Sequence, residues 1–394
     1  MAKQRYYLDS RVFTAFFIAA MPFVAFGSFV VVNVARNQLR ESVGANLEQR
    51  AVQTKLGLEQ YLAGEVVHLR LLALSPDVQQ ALSGAPRALP PAEEAAKLEQ
   101  DWAAGRDPKL VASVVEAKAS SALRALGTVH PVVRQLQVVD ALGRVVAAAG
   151  RSGRLFYGES AWFQDVVGQE GDVRPYVGDM VRPKGSPLTL LELAYPVRDA
   201  GGATLGAVRA LLDANDLYTV LAPVRVGTTG HAILVRSTDG LILASDESER
   251  ILKATLPGFD SLRNAMEGFP IGESGQAIFG RSRLHRGYWS LPEVRVQGED
   301  GRTAVVEPAR LVGFSPVDQF GLKWLVAVEQ DLSEALAPIQ TVTRYLWVHF
   351  IGVFATVILL ALYFSFKLER PVMEDDLHLH EEHVPAGMKA AEEN

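Results

Sequence analysis

The residues best suited to chemistry lie between 154 and 224, where Phe156, Tyr157, Trp162, Phe163 and Tyr176 crowd into a stretch punctuated by glycine and proline. Glu159 sits among them. Two apolar strand candidates follow on either side of a turn at 199–202, and Asp213 and Asp216 come directly after the second. Aromatic rings on loops beside a sheet, with carboxylates at the edge, are the materials of a ligand cleft. The bland rival is a packed core, in which Trp162 or Phe163 turns a ring inward and Tyr157 caps the sheet.

Covalent chemistry finds no matching set. Gly272-Glu273-Ser274-Gly275 lacks the spacing of a nucleophile elbow, and neither an HExxH helix nor a Walker loop occurs. His378, His380 and His383 cluster with Glu381 and Glu382 in an acidic tail, but a solvated tail offers no outer shell to orient metal ligands. The chain therefore reads as a binding protein, not an enzyme, with no cofactor and no physiological metal.

The elements around this stretch follow from periodicity. Residues 37–74 read as a long helix, with Leu39, Val43, Leu47, Val52 and Leu56 recurring at three- to five-residue intervals. Such a helix is either a stalk that contacts a second copy or a cover for one face of the next domain. Ser75-Pro76-Asp77 opens a short helix that Gly84 ends; an acidic-first helix runs from Pro91 toward Trp102, and one more over 108–126. From Val132 the texture changes to valine-rich runs separated by turns, which predicts an antiparallel sheet flanked by helices. The fold class is therefore α+β, and no glycine fingerprint suggests a dinucleotide fold.

A second unit begins near Gly227. Residues 230–247 repeat the hairpin design of 135–150, and Asp216-Leu217 with Leu221-Ala222-Pro223-Val224 returns as Asp331-Leu332 with Leu336-Ala337-Pro338-Ile339. Residues 287–302 read as an irregular polar loop. Residues 331–344 read as a helix running without a joint into an apolar segment.

With 394 residues, 48% of them hydrophobic, the chain can build more than one core. A net charge of −6, without a basic face carrying aromatics, argues against nucleic acid. The absence of cysteine excludes disulfides and thiolate metal sites. Residues 12–35 form an uncharged run that as a helix spans ~36 Å, enough for a ~30 Å hydrocarbon core. Residues 344–366 contain a second such run. The alternative for the first is a cleaved signal peptide, with Ala25-Phe26-Gly27 as the cleavage site. Lys3, Arg5 and Arg11 before the first run, and Lys367 and Arg370 after the second, place both ends on the cytoplasmic side. The expectation is a two-pass protein of the inner or plasma membrane whose central body is extracytoplasmic.

Ala161-Trp162-Phe163, Tyr176, the strand pair ending in Asp213, Gly227-Thr228-Thr229-Gly230, Phe314-Ser315-Pro316-Val317 and Trp324–Glu329 occur in an order that resembles the double-Cache sensor domains of bacterial chemoreceptors and sensor kinases. The resemblance spans about 36–344 and implies a long stalk helix, two tandem PAS-like sheet modules and two flanking membrane helices. Its implied organisation is a cytoplasmic start (1–11), a first span (12–35), stalk and cap helices (36–131), a membrane-distal module (132–226), a membrane-proximal module (227–343), a second span (344–366) and a short cytoplasmic tail (367–394).

In that family the ligand sits in the distal module, and amino-acid sensors carry an arginine two residues before the tryptophan. Ser160 stands there. The resemblance leaves Trp162, Phe163, Tyr157, Tyr176 and Asp213 as ligand-binding residues, with Arg182 or Arg154 as sources of the missing positive charge. Asp213 and Glu159 facing Trp162 and Tyr176 suit a cationic amine or an amino-acid-like ligand, held partly by cation–π attraction worth ~0.5–2 kcal/mol. Glu369-Arg370-Pro371-Val372 resembles the start of a HAMP linker, yet 28 residues remain from Lys367 onward, so output falls to a separate signalling protein. The alternative is a membrane-anchored scaffold that docks another envelope protein and binds no small ligand.

Overall fold

The computed structural model describes residues 10–151, 153–168, 174–183, 186, 188–267, 287–297 and 303–368. It divides into a unit of residues 39–336 and a unit of residues 1–38 with 337–394.

Helix α1 (Ser10–Ala73) is continuous over 64 residues, so the expected stalk has no start of its own near residue 37. Within the larger unit its buried stripe is Leu47, Ala51, Leu58, Leu62 and Leu69. Intervals of four and seven residues keep these on one face. They share a core with Leu136, Leu193 and Val208 of one sheet and Leu234, Val326 and Val328 of another. The helix is thus a cover for the sheets, and Leu56, expected in the stripe, is 55% exposed.

Helix α2 (Pro76–Ser83) begins after Ser75 and ends at Gly84, and α3 (Ala92–Ala104) carries Glu93 and Glu94 in its first turn. The single helix expected over 108–126 is instead two, α4 (Pro108–Val115) and α5 (Lys118–Val129). The corner is pinned by fully buried Ser120, whose Oγ donates to the Val114 carbonyl (2.6 Å) and accepts from the Ala148 N–H (3.0 Å).

The first sheet contains β1 (Val133–Asp140), β2 (Val145–Ala148), β3 (Tyr176–Val181), β4 (Leu190–Arg198) and β5 (Thr204–Asp213), with α6 (Ala161–Val167) between β2 and β3. Its antiparallel order is β2-β1-β5-β4-β3. A short helix, α7 (Tyr218–Leu221), leads to β6 (Arg225–Val226), β7 (Gly230–Arg236) and β8 (Ile242–Ala244), then α8 (Phe259–Glu267). Next come β9 (Gly287–Leu291), β10 (Val294–Gln297), β11 (Thr303–Glu307), β12 (Arg310–Pro316) and β13 (Trp324–Asp331). The second sheet runs β6-β7-β13-β12-β9 with β8 also on β7, so β8-β7-β13-β12-β9 repeats the order of the first. Residues 287–302 are therefore not one loop: β9 pairs with β12, and β10 pairs with β11, while 298–302 lie outside the described residues. The polar pattern misled because β9 spends its apolar ends, Gly287 and Leu291, inward and leaves Tyr288, Trp289 and Ser290 half-buried.

Glu329 on β13 is 2% exposed and is held by Arg310 Nη1 at 2.7 Å and His231 Nε2 at 3.3 Å. The hydrogen bond to Glu329 lifts the His231 pKa above its ordinary value against the opposing effect of burial, with the Thr229 carbonyl and Asp246 assisting. The same partners hold Glu329 below the usual carboxylate range despite burial. A raised histidine pKa stabilises the fold fully below about pH 6.5, and that contribution disappears as pH rises through the folded-state value. Thermal unfolding of the full chain should therefore fall in midpoint above about pH 6.5, and His231→Gln should flatten that slope. An unchanged slope in the variant would assign the effect elsewhere.

Asp331 does not lead into an unbroken helix. After α9 (Leu332–Ala335) the chain turns at Leu336 before α10 (Ala337–Leu368) begins. In the smaller unit, Ala25, Phe29 and Val32 of α1 and Leu346, Trp347 and Phe350 of α10 line a cavity of about 220 Å³. Among the described residues one helical stretch, Ala337–Leu360, is long and apolar enough to cross a membrane, and its most apolar part is not buried. Two such helices were expected. The other, 12–35, is part of α1, and the side chains of 12–17, 19–21 and 24 lie outside the described residues. The tail from 369 onward, with the HAMP-like residues and the three histidines, also lies outside them.

Candidate functional site

The aromatic segment is held by backbone contacts that precede any ligand. Asp140 ends β1 and its Oδ1 accepts from the Leu142 and Arg144 N–H groups, closing a turn in which Gly143 takes a φ of 88°. The Gly143 carbonyl accepts from the Tyr157 N–H (2.7 Å), and the Leu155 carbonyl accepts from the Val145 N–H (2.9 Å). From the other side, the Glu99 carboxylate on α3 accepts the Leu155 and Phe156 N–H groups at 3.0 Å. Tyr157 is thereby fixed at the start of the turn into α6. Ser160 precedes that helix, and Gly168 ends it.

Tyr157, Trp162 and Phe163 are all buried and belong to one core with Trp102, Leu110 and Ala194. The Trp162 ring lies 5.6 Å from both Tyr157 and Phe163, edge-on to the latter. Under them passes a row across the sheet. Register places Tyr176 opposite Ala194, Ala194 opposite Arg209, Arg209 opposite Gln137, and Gln137 opposite Ala148. Directly opposed residues of neighbouring strands share a face, so this row is the floor of the aromatic cluster.

Arg209 is the group that periodicity did not single out. It is 8% exposed, and its guanidinium lies 4.7 Å from the Tyr157 ring centroid and 5.5 Å from that of Trp162. Its Nε donates to Glu192 Oε1 at 2.6 Å, and Nη2 meets the same oxygen. Its Nη1 has only long contacts: Gln135 Oε1 and Gln137 Oε1 at 3.4 Å and Tyr157 Oη at 3.5 Å. Two more donors beside it, Trp162 Nε1 and Gln137 Nε2, are buried with no hydrogen-bond partner among the described residues. Leaving such donors unpaired costs about 1–3 kcal/mol each. Burial first, then the charges of Glu192, Asp165 and Asp179, pushes the Tyr176 hydroxyl above its ordinary pKa, while Arg209 pulls it down. Tyr176 stays protonated and able to donate.

Trp162, Phe163, Tyr157 and Tyr176 thus come together. Asp213 does not join them: its Oδ2 accepts from Arg134 Nη2 (2.7 Å) and its Oδ1 from the Asn215 N–H (3.1 Å). It shares a strand face with Arg209 but lies four residues further on, about 13 Å away. Arg182 is at that same end, donating to Thr189 Oγ1 at 3.1 Å. Glu159 is exposed on the turn before α6. Arg154 sits 5.7 Å from the Tyr157 ring. The acid within the cluster is Glu192 and the base is Arg209. The signal that could have found them is a charge placed in the middle of each of two apolar strands, LLELAYPVR and TLGAVRALLD.

The profile of the Cache domain family matches residues 35–339. No curated protein matches the chain in sequence. Similar solved structures include the ligand-binding domain of the Pseudomonas aeruginosa PAO1 amino acid chemoreceptor PctB in complex with L-Arg, at 16% identity, covering 75% of this chain and 98% of that one, TM-score 0.44. That of PctC from the same organism, in complex with GABA, has 18% identity, covers 73% and 100%, and has a TM-score of 0.43. The Campylobacter jejuni chemoreceptor Tlp3 domain in complex with 4-methylisoleucine has 12% identity, covers 75% and 94%, and has a TM-score of 0.46.

Proposed function

Because the chain belongs to the Cache domain family, we propose that it is a two-pass, extracytoplasmic membrane sensor whose distal module, 132–226, binds a small zwitterion of amino-acid type. The observation that carries this reading is the largely buried Arg209–Glu192 pair, in which Arg209 Nη1 has only long contacts, beside two unpartnered donors, Trp162 Nε1 and Gln137 Nε2. A carboxylate placed there accepts from Arg209 Nη1, Trp162 Nε1 and Gln137 Nε2, and charge assistance makes such bonds the strong ones. A ligand ammonium then meets Glu192 and the faces of Tyr157 and Tyr176. A zwitterion leaves the net charge of the buried site unchanged, whereas a lone amine or lone acid adds an uncompensated charge to it.

Membrane anchoring is supported by bare apolar surface. Phe23, Phe26 and Phe29 on α1 are 65–78% exposed, and Trp347, Ile351 and Leu359 on α10 about as much, a pattern that water does not tolerate on this scale. Occupancy of the distal module would bias one arrangement of the body, and a hundredfold preference amounts to ~2.7 kcal/mol. A separate protein reads that bias. Leu56, Val67 and Leu71 on the exposed side of α1, with Leu74 just past its end, suit a contact with a second copy.

A thermal-shift screen of the full chain in detergent against L-amino acids, ω-amino acids, simple amines and simple carboxylates tests the reading. Zwitterions should raise the unfolding midpoint, and the amines and acids should do so far less. No response to any class would instead favour a scaffold that docks an envelope protein.

A further inference from the structure

Glu65 and His68 lie on α1 three residues apart, a spacing that puts both side chains on one helix face. His130 approaches them from the end of α5, three residues before β1 begins. The three ligating atoms lie within 4.8 Å of one another. His130 Nε2 is 3.0 Å from each Glu65 oxygen, and His68 Nδ1 is 3.8 Å from Glu65 Oε2. The two rings meet edge-on at 4.7 Å.

Hydrogen bonding alone leaves this cluster incomplete. Glu65 is 6% exposed, and the polar groups paired with its carboxylate among the described residues are the two imidazoles. His130 offers one N–H toward two oxygens. His68 Nδ1 is buried and has no hydrogen-bond partner among the described residues. A buried ring nitrogen without a partner, beside a buried carboxylate, is an arrangement that one cation satisfies in a single step. It neutralises Glu65 and takes a lone pair from each histidine.

We propose that Glu65, His68 and His130 form a binding site for a late first-row divalent cation such as Zn²⁺, clamping α1 to the start of the first sheet. Two nitrogens and one carboxylate are the donor set of that class, and the hard oxygen-seeking cations Mg²⁺ and Ca²⁺ do not select it. Tetrahedral bonds of about 2.0–2.1 Å separate ligand atoms by about 3.3 Å, between the two carboxylate–imidazole separations above, and the two imidazoles, within 4.8 Å of each other, would close to the same spacing by rotating their rings. Three protein ligands leave a position open for water. The site is distinct from the aromatic cluster, since neither Arg209 nor Trp162 contributes to it.

The tail histidines would bind the same metals, so the test uses the full chain carrying His378→Asn, His380→Asn and His383→Asn, stripped with chelator and titrated with Zn²⁺ by calorimetry. The expected result is one Zn²⁺ per chain, a raised unfolding midpoint, and with Co²⁺ the visible bands of a tetrahedral ion. His68→Gln, at a half-exposed residue, should keep the apo unfolding midpoint and weaken Zn²⁺ at least about tenfold; the isosteric Glu65→Gln should do the same or more. Loss of all saturable binding with the tail histidines would overturn the proposal. So would one-to-one binding that is indifferent to both folded variants.

Discussion

Replacing Arg209 by methionine is expected to weaken ligand binding sharply and to destabilise the first sheet by about 2–4 kcal/mol, the range for breaking a largely buried ion pair whose surviving partner keeps some access to water. Glu192, with a side chain 20% exposed, is that partner. Its charge would remain under Tyr157 and Trp162 without the guanidinium that now holds it at 2.6 Å. Affinity for a carboxylate-bearing ligand should fall at least about thirtyfold, the low end of removing one member of a buried charged contact. Adding Glu192→Leu should restore much of the stability, because two apolar residues replace a costly pair, and should restore none of the binding. That dissociation separates a ligand site from a structural ion pair. Asp213→Ala provides the contrast: its partner Arg134 is 48% exposed, so the cost should be mainly that of the lost Asn215 N–H cap, about 1 kcal/mol, with affinity within a factor of two or so.

Gly313→Ala should lower stability by a comparable amount, about 3 kcal/mol or a fall of roughly 6–10 °C in unfolding midpoint. Gly313 lies mid-strand in β12, opposite Val328 on one side and Tyr288 on the other. A Cβ there would overlap the backbone of Leu47 and Glu48 on α1, with the Leu47 carbonyl oxygen 2.5 Å away. Backbone on both sides cannot give by rotating a side chain. Relief requires α1 to move off the sheet, opening the core that Leu47 fills. Gly44→Ala makes the informative comparison, because its Cβ would meet the ring of Tyr288, a half-buried side chain that can swing aside. Chemical unfolding of both variants should rank Gly313→Ala well above Gly44→Ala, and the reverse order would mean that α1 sits less tightly on β12 than its glycine contact implies.

These two residues mark the boundary between what the chain displays locally and what it hides. The hairpins at 133–148 and 230–244 are legible because alternation, glycine turns and β-branched residues all lie within a dozen positions. The aromatic segment was legible for the same reason, and Tyr157, Trp162, Phe163 and Tyr176 do converge. Arg209 and Glu192 were not, because their meaning depends on the pairing of β4 with β5 and on which sheet face lies under α6. Asp213 looked like the acidic wall from its place at a strand end. Its partners, Arg134 and the Asn215 N–H, come from a bulge and a turn that spacing does not reveal. Gly313 likewise reads as an ordinary strand glycine until α1 is laid across it. The unbroken α1 was hidden by the change near Arg36 from an uncharged run to a charged, periodic one, which reads as two elements; within it, the missing side chain at Gly44 makes room for Tyr288.

A zwitterion bound against Trp162 on the Arg209 floor would be reported directly by the indole proton of Trp162. In the full chain with ¹⁵N-labelled tryptophan, assigned through Trp162→Phe, the Trp162 Nε1–H should move downfield when the stabilising zwitterion is added, as a donor without a partner acquires an acceptor. The Nε1–H groups of Trp289 and Trp324, already bonded to Ser261 and Asp179, should stay in place. A saturable ligand that shifts Trp289 and leaves Trp162 unmoved would put the cue in the other sheet and contradict the claim.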